Sequence, residues 1–355
     1  MNDFNELNNE TFGEGGNIPP ETPQTKQYVT YIPYGFTPKT YEERNKIKKV
    51  GNVVGLSLLA LNLLAVVISF CLTLVLSKMG ITSEKIHNIV NDDGFNQFFQ
   101  TTVSTLLFIL PFTAIFKFAG YRISDLVIFE KPKEKTFLPF FLFGISFCAF
   151  SNIAVSIAGE IFERAGINYE VDFGDNPKGI FGFLLSFIAI SVVPALVEEF
   201  ACRGLILGSL RKFGDGFAIF ASSIVFGVMH GNFQQMPFAF LVGLILGYVT
   251  VKTGTLWISV AIHAFNNFIS LVFDYLPKSI PMDIKNAAYI IFLTVLMILG
   301  LLSIILLNKN KENLEIEKSE TEATERQKYK WFFSSAAIVI FLIVSVIEAL
   351  SFFSS

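Results

Sequence analysis

Charge is scarce in this chain: only 16% of its 355 residues are charged, against 52% hydrophobic. A soluble domain with about half its residues apolar carries about a quarter charged ones, so the whole chain does not read as soluble. Neither sign of charge dominates, since 27 Lys and Arg face 30 Asp and Glu for a formal net charge of −3. That excludes the broad basic surface expected of a nucleic-acid-binding protein. The three cysteines, Cys71, Cys148 and Cys202, all fall in apolar segments and none has CxxC spacing, so neither a disulfide framework nor a cysteine metal site is available. No repeat of fixed period stands out, and an inverted-repeat transporter is therefore not suggested.

Apolar residues fill what remains. Nine segments read as membrane spans: roughly 52–77, 98–116, 137–161, 179–197 continuing to about 212, 216–232, 236–251, 255–276, 286–307 and 331–353. Each approaches the ~20 residues that a helix rising 1.5 Å per residue needs to cross about 30 Å of hydrocarbon. The expected fold is an all-α polytopic helix bundle of eight to nine spans, embedded in membrane lipid. The segment before the first span has no signal-peptide pattern, so that span is expected to insert uncleaved.

The chain divides accordingly. Residues 1–50 read as a tail of disorder-prone composition ending in a basic juxtamembrane stretch, and 51–178 as amino-terminal spans. A polar-residue-bearing core follows at 179–277, a span at 278–307, a charged loop at 308–330 and a terminal span at 331–355. Lys39, Arg44, Lys46, Lys48 and Lys49 precede the first span, and Lys117, Arg122, Lys131, Lys133 and Lys135 follow the second. Positive charge favours the cytoplasmic side, which places the amino terminus inside, most simply at the plasma membrane, and Ser355 outside. Trp257 and Trp331, at the starts of spans, read as interface anchors.

Ionisable side chains within spans are expensive and mark candidate sites. Of the three histidines, His230 and His263 lie in apolar segments, and His87 in a polar loop. The fourth segment carries Glu198, Glu199 and Arg203 in the run VEEFACRG. Glu198 and His230 each lie 14 residues, or about 20 Å, above the cytoplasmic ends of their spans, and His263 and Asn267 about 14 and 20 Å above theirs. Three helices thus offer polar groups to one layer. Glu199 can pair with Arg203 one turn on, whereas Glu198 points about 100° away without an intrahelical cation, as suits a general base. His263 and Asn267 share a face and can donate to one atom.

Each residue also has a plain structural reading: a hydrogen-bonded core histidine for His230, an ordinary ion pair for Glu199 and Arg203, core packing for Phe226. Pro194 should break or restart the long fourth helix, and the Gly204/Gly208 and Gly243/Gly247 spacings read as helix-packing positions. Cys202 lacks a clear means of forming a thiolate, so it is a poor nucleophile candidate. Ser222 and Ser223 read as small packing residues.

The ordered set Glu198-Glu199-x-x-x-Arg203, Phe226-x-x-x-His230 and His263-x-x-x-Asn267, spread over about 180–277, resembles the CPBP family of CAAX-processing and bacteriocin-processing intramembrane proteases, also called the Abi family. The resemblance implies an endopeptidase acting on a lipidated or hydrophobic peptide or protein: a CAAX-like tail, a pheromone or a bacteriocin precursor. It further implies Glu198 as the base activating water, His230 holding that water, His263 and Asn267 lining an oxyanion hole, and Glu199, Arg203 and Phe226 supporting the site. The family has been called both a metalloprotease and a glutamate protease. No HExxH motif is present, which favours a site without a cofactor, although Glu198, His230 and His263 could together hold zinc. Two other classes fit part of the pattern. One is a non-catalytic scaffold or immunity-type protein holding a hydrophobic partner, the other an ion- or proton-coupled transporter. A relay to both membrane faces is not visible in the sequence, and nucleic acid is not an expected partner.

Overall fold

The computed structural model describes residues 32–80, 93–164, 176–277, 279–309, 314–316 and 320–351. The expectations for residues 1–31, for His87 and for the position of Ser355 fall outside them. All regular structure among the described residues is helical: α1 (Pro38–Lys78), α2 (Asp93–Phe118), the single turn α3 (Ile123–Leu126) and α4 (Glu134–Arg164) lead into the long run α5 (Gly179–Phe213). Then come α6 (Asp215–Val228), α7 (Gln235–Thr253), α8 (Trp257–Asp274), α9 (Met282–Lys309), α10 (Glu325–Phe333) and α11 (Ala336–Ser351).

Every one of the nine apolar segments is helical, and the chain is a polytopic helical membrane protein. Fewer segments meet the length and apolarity needed to cross a bilayer: five helices among the described residues, or six if α10 and α11, bent by 71°, form one broken span. Two of the other segments fall short for physical reasons. Helix α6, at 14 residues, is too short alone. Helix α8 gives up apolarity to His263, Asn266, Asn267 and Asp274.

Local chemistry sets the element ends. Thr37 accepts from the Thr40 amide and Pro38 occupies the first turn, so α1 begins there. At α10, Thr324 and Gln327 close a capping box. Gly214, at φ +124°, turns the chain sharply from α5 into α6, and Gly254, at φ +66°, ends α7 in the left-handed region. The corner at Gly214 folds α6 back against α5, so Glu198 and His230 end at similar heights above it.

The helices pack as two apolar cores. One gathers α1, α2, α5, α6, α10 and α11 around Phe112, Phe116, Leu205, Phe217 and Phe332. The other gathers α4, α7, α8 and α9 around Phe140, Leu246, Ile258, Ile262 and Leu296. Helix α5 contacts both α6, from the first core, and α8, from the second. The glycine positions are packing positions as expected: a Cβ on Gly243 would lie 3.0 Å from Ser223 Cβ, and one on Gly204 2.9 Å from a Val127 methyl. Ser223 is thus the small partner that lets α6 and α7 meet. Trp331 corrects the sequence reading, since it is buried against Phe36 in the first core instead of lying at an interface. Trp257 is partly exposed and donates from Nε1 to the Phe129 carbonyl at 3.2 Å.

Candidate active site

Helix α5 is not uniform. Its α-helical first turns give way to a π-helical stretch at Phe187–Val192, an α-helical segment at Val193–Glu199 and a second π-helical stretch at Phe200–Leu207. Pro194 sits in the first turn of the restarted α segment, where its missing N–H is tolerated. The helix therefore restarts at the proline, as the sequence suggests, and the two glutamates close the restarted segment.

Glu199 and Arg203 form the expected pair. Arg203 donates from Nη1 to Glu199 Oε1 at 2.8 Å, with the side chains 1% and 0% exposed. Burying two charges is tolerable only when further bonds satisfy them. Arg203 Nη2 also donates to the Gly243 carbonyl at 3.3 Å, and its guanidinium lies 4.2 Å from the Phe226 ring centroid. Glu199 Oε1 also meets His263 Nδ1 at 2.9 Å. A buried carboxylate oxygen can only accept, so Nδ1 carries the hydrogen there. Glu199 Oε2 is buried with no hydrogen-bond partner.

His263 faces Glu198 with its other nitrogen: Nε2 lies 3.9 Å from Glu198 Oε2. Glu198 is 16% exposed where Glu199 is fully buried, so of the two adjacent carboxylates it is the one open to a small molecule. The 100° separation between neighbouring helix positions produces this division of one pair into an ion-paired glutamate and a free one.

His230 corrects the sequence reading in position. It lies in the turn just beyond α6, before Gly231 at φ +66°, and not within the helix. Its Nδ1 stands 2.8 Å from the Phe226 carbonyl oxygen, which can only accept, so Nδ1 is the donor there. Asn232 ties this turn down by donating to the His230 carbonyl at 3.0 Å and accepting from the Gln235 amide at 2.8 Å. Phe226 is the hub: its ring meets His230 edge-on at 5.2 Å and His263 at 5.9 Å, beneath Arg203. Core packing and site support are one role here.

Asn267 and His263 share a face of α8, but their amide and imidazole reach different acceptors. Asn267 donates from Nδ2 to the Ile190 carbonyl at 3.1 Å. Sequence reasoning missed its partner Asn266, the Asn152 that bonds Asn266 in turn, and also Asn232. An isolated asparagine in an apolar helix and a doubled asparagine beside the motif were the available signals. Cys202 is buried in the first core with its thiol 3.8 Å from Met229 Sδ. Among the described residues, no group of three or more His, Cys, Asp or Glu side chains is arranged to hold a metal ion.

The fold and site define a polytopic helical membrane protein with a buried Glu–Arg–His cluster where its two cores meet. Residues 180–269 match the family described as Type II CAAX prenyl endopeptidase Rce1-like, and all seven motif residues lie in that segment. The chain thus carries an Rce1-like domain of the CPBP, or Abi, family. It is 28% identical over 109 residues to the "Membrane-embedded CAAX protease MroQ" of Staphylococcus aureus, a match covering 28% of this chain and 44% of that protein. It is 26% identical over 94 residues to the "Putative membrane peptidase YdiL" of Bacillus subtilis, covering 26% of this chain and 38% of the relative. The matches span less than half the length of these curated relatives. No solved structure matches the chain.

Proposed function

We propose that this protein is an intramembrane endopeptidase that hydrolyses a peptide bond in a lipidated or hydrophobic peptide or protein. The observation that carries the reading is the convergence of Glu198, Glu199, Arg203 and His263 within one buried cluster, with His230 on the shared Phe226 hub.

In this reading Glu198 takes a proton from water, and the hydroxide attacks the scissile carbonyl carbon. His230, its Nδ1 committed to the Phe226 carbonyl, holds that water through Nε2. The carbonyl electrons move onto oxygen, which receives hydrogen bonds from His263 Nε2 and from the second N–H of Asn267. Glu198 then returns its proton to the departing amine nitrogen. For His263 to donate from Nε2 while Nδ1 donates to Glu199, the ring must be an imidazolium. The charges of Glu198, Glu199, Arg203 and His263 then sum to zero, the balance a desolvated site requires.

A general base contributes about 10²- to 10⁴-fold, and one oxyanion donor about 10²- to 10³-fold. These terms make a metal-free mechanism sufficient in kind, and it is the version proposed. In this reading the basic first turns of α1, from Lys39 to Lys49, lie on the cytoplasmic side of the plasma membrane, and all nine apolar segments contribute to the embedded bundle.

The test uses full-length protein in detergent micelles with a panel of prenylated CAAX-type and hydrophobic reporter peptides, and products are read by mass spectrometry. A single internal cleavage by the wild type, abolished in Glu198→Ala and reduced in Asn267→Ala, is expected. Equal cleavage by wild type and Glu198→Ala would overturn the assignment of Glu198.

A further inference from the structure

Three asparagines form one continuous chain of side-chain hydrogen bonds between α4, α8 and α5. Asn152 Nδ2 donates to the Cys148 carbonyl at 3.0 Å and to Asn266 Oδ1 at 3.2 Å. Asn266 Nδ2 donates to Asn267 Oδ1 at 3.3 Å, and Asn267 Nδ2 donates to the Ile190 carbonyl at 3.1 Å. At the α4 end, the Tyr289 hydroxyl of α9 donates to Asn152 Oδ1 at 3.3 Å.

The direction of this chain is determined by its ends. Cys148 O and Ile190 O are backbone carbonyls, which only accept. Turning the Asn152 amide over would set its Oδ1 against the Cys148 oxygen. Turning Asn266 over would set oxygen against oxygen at Asn267, and turning Asn267 as well would set its Oδ1 against Ile190 O. One arrangement satisfies every member of this partly buried network.

The Ile190 end has a cause in the sequence. Pro194, four residues on, has no N–H to offer that carbonyl. Asn267 donates to it and so ties α8 to the stretch of α5 that precedes Glu198. A carboxamide has two N–H groups, and Asn267 spends one on Ile190 while its oxygen is held by Asn266. One N–H remains.

We propose that Asn152 and Asn266 are positioning residues that, through this relay, hold the Asn267 carboxamide so that its remaining N–H is the oxyanion donor. The assignment rests on the proteolytic reading above for the oxyanion, whereas the relay itself is a matter of hydrogen bonding. Its two parts are therefore tested separately.

The first measurement is thermal unfolding of the full chain in detergent for Asn152→Ala, Asn267→Ala and the double variant. Asn152 and Asn267 are joined only through Asn266, so the relay predicts that the double variant loses at least ~2 °C less than the sum of the single losses. In an Asn266→Leu background the same pair becomes additive. Additivity in the wild-type background overturns the relay, whether or not any peptide is cleaved.

The second is turnover of the reporter peptide cleaved by the wild type. Asn266→Leu and Asn152→Leu are expected to lower kcat by about 10- to 100-fold with KM within about twofold, the signature of a misplaced group and not of lost binding. Unchanged kcat in both variants overturns the positioning role. Failure of the wild type to cleave any reporter would count against the proteolytic reading and leave the unfolding result to decide the relay.

Discussion

His263 and Glu199 are joined at 2.9 Å through Nδ1 and Oε1, the same oxygen that receives Arg203. One carboxylate oxygen therefore fixes an imidazole from α8 and a guanidinium from α5. It turns the far nitrogen of the ring toward Glu198, so the orientation of the His263–Glu198 pair depends on Glu199.

Breaking this junction should cost stability first. Arg203→Met leaves a buried carboxylate without its main counter-charge, a change worth about 3–5 kcal/mol in comparable buried pairs. A clear fall in the thermal midpoint in detergent is expected, with much of it recovered in Arg203→Met/Glu199→Leu, where both charges are gone. A single variant as stable as the wild type would show that Glu199 is not ionised there.

Pro194→Ala separates stability from function. The alanine brings an N–H four residues from Ile190, so Asn267 gains a competitor for its acceptor. The expected result is an unchanged or raised midpoint together with reduced turnover. A variant with both raised midpoint and full turnover would separate Asn267 from the reaction.

The turn that carries His230 is sensitive to its glycine. Gly231 has φ +66°, and a Cβ there would stand 3.3 Å from Glu348 Oε2 on α11. Gly231→Ala is expected to cost about 1–2 kcal/mol from the left-handed backbone. It should also lower turnover beyond that cost, because the strain falls one residue from the imidazole. Equal activity per folded molecule would place His230 outside the chemistry.

Close approach of α6 and α7 gives a fourth expectation. Gly243→Ala sets a methyl 3.0 Å from Ser223 Cβ and 3.1 Å from its Cα, backbone that cannot swing aside. Overpacking of this kind costs about 1–3 kcal/mol. Because Gly243 O also accepts from Arg203, turnover should fall together with the midpoint, and Gly243→Ala combined with Ser223→Gly should regain both.

The site was legible in the sequence to the extent that helical periodicity carries it. The Glu199–Arg203 pair and the divergence of Glu198 from it follow from 3.6 residues per turn, and the break at Pro194 from proline's missing N–H. The boundaries of α6 were not legible, because Met229 and His230 continue an apolar run while the chain has already turned toward Gly231. The depth of Trp331 was hidden for a related reason: a tryptophan at the start of a span has the same sequence neighbourhood whether it faces lipid or Phe36. The asparagine relay joins residues 114 apart, and no local pattern links Asn152 to Asn266. The shortness of α6 was hidden along with its boundaries, since length along the sequence counts its turn residues as helix.

The most direct measurement is cleavage of the reporter panel by wild type and Glu198→Ala, matched for thermal midpoint, with and without a zinc chelator. The account predicts a loss of at least ~10²-fold in the variant, and wild-type cleavage that persists in the chelator. Equal cleavage by the two proteins would contradict the role of Glu198, and cleavage lost to the chelator and restored by zinc would contradict the metal-free mechanism.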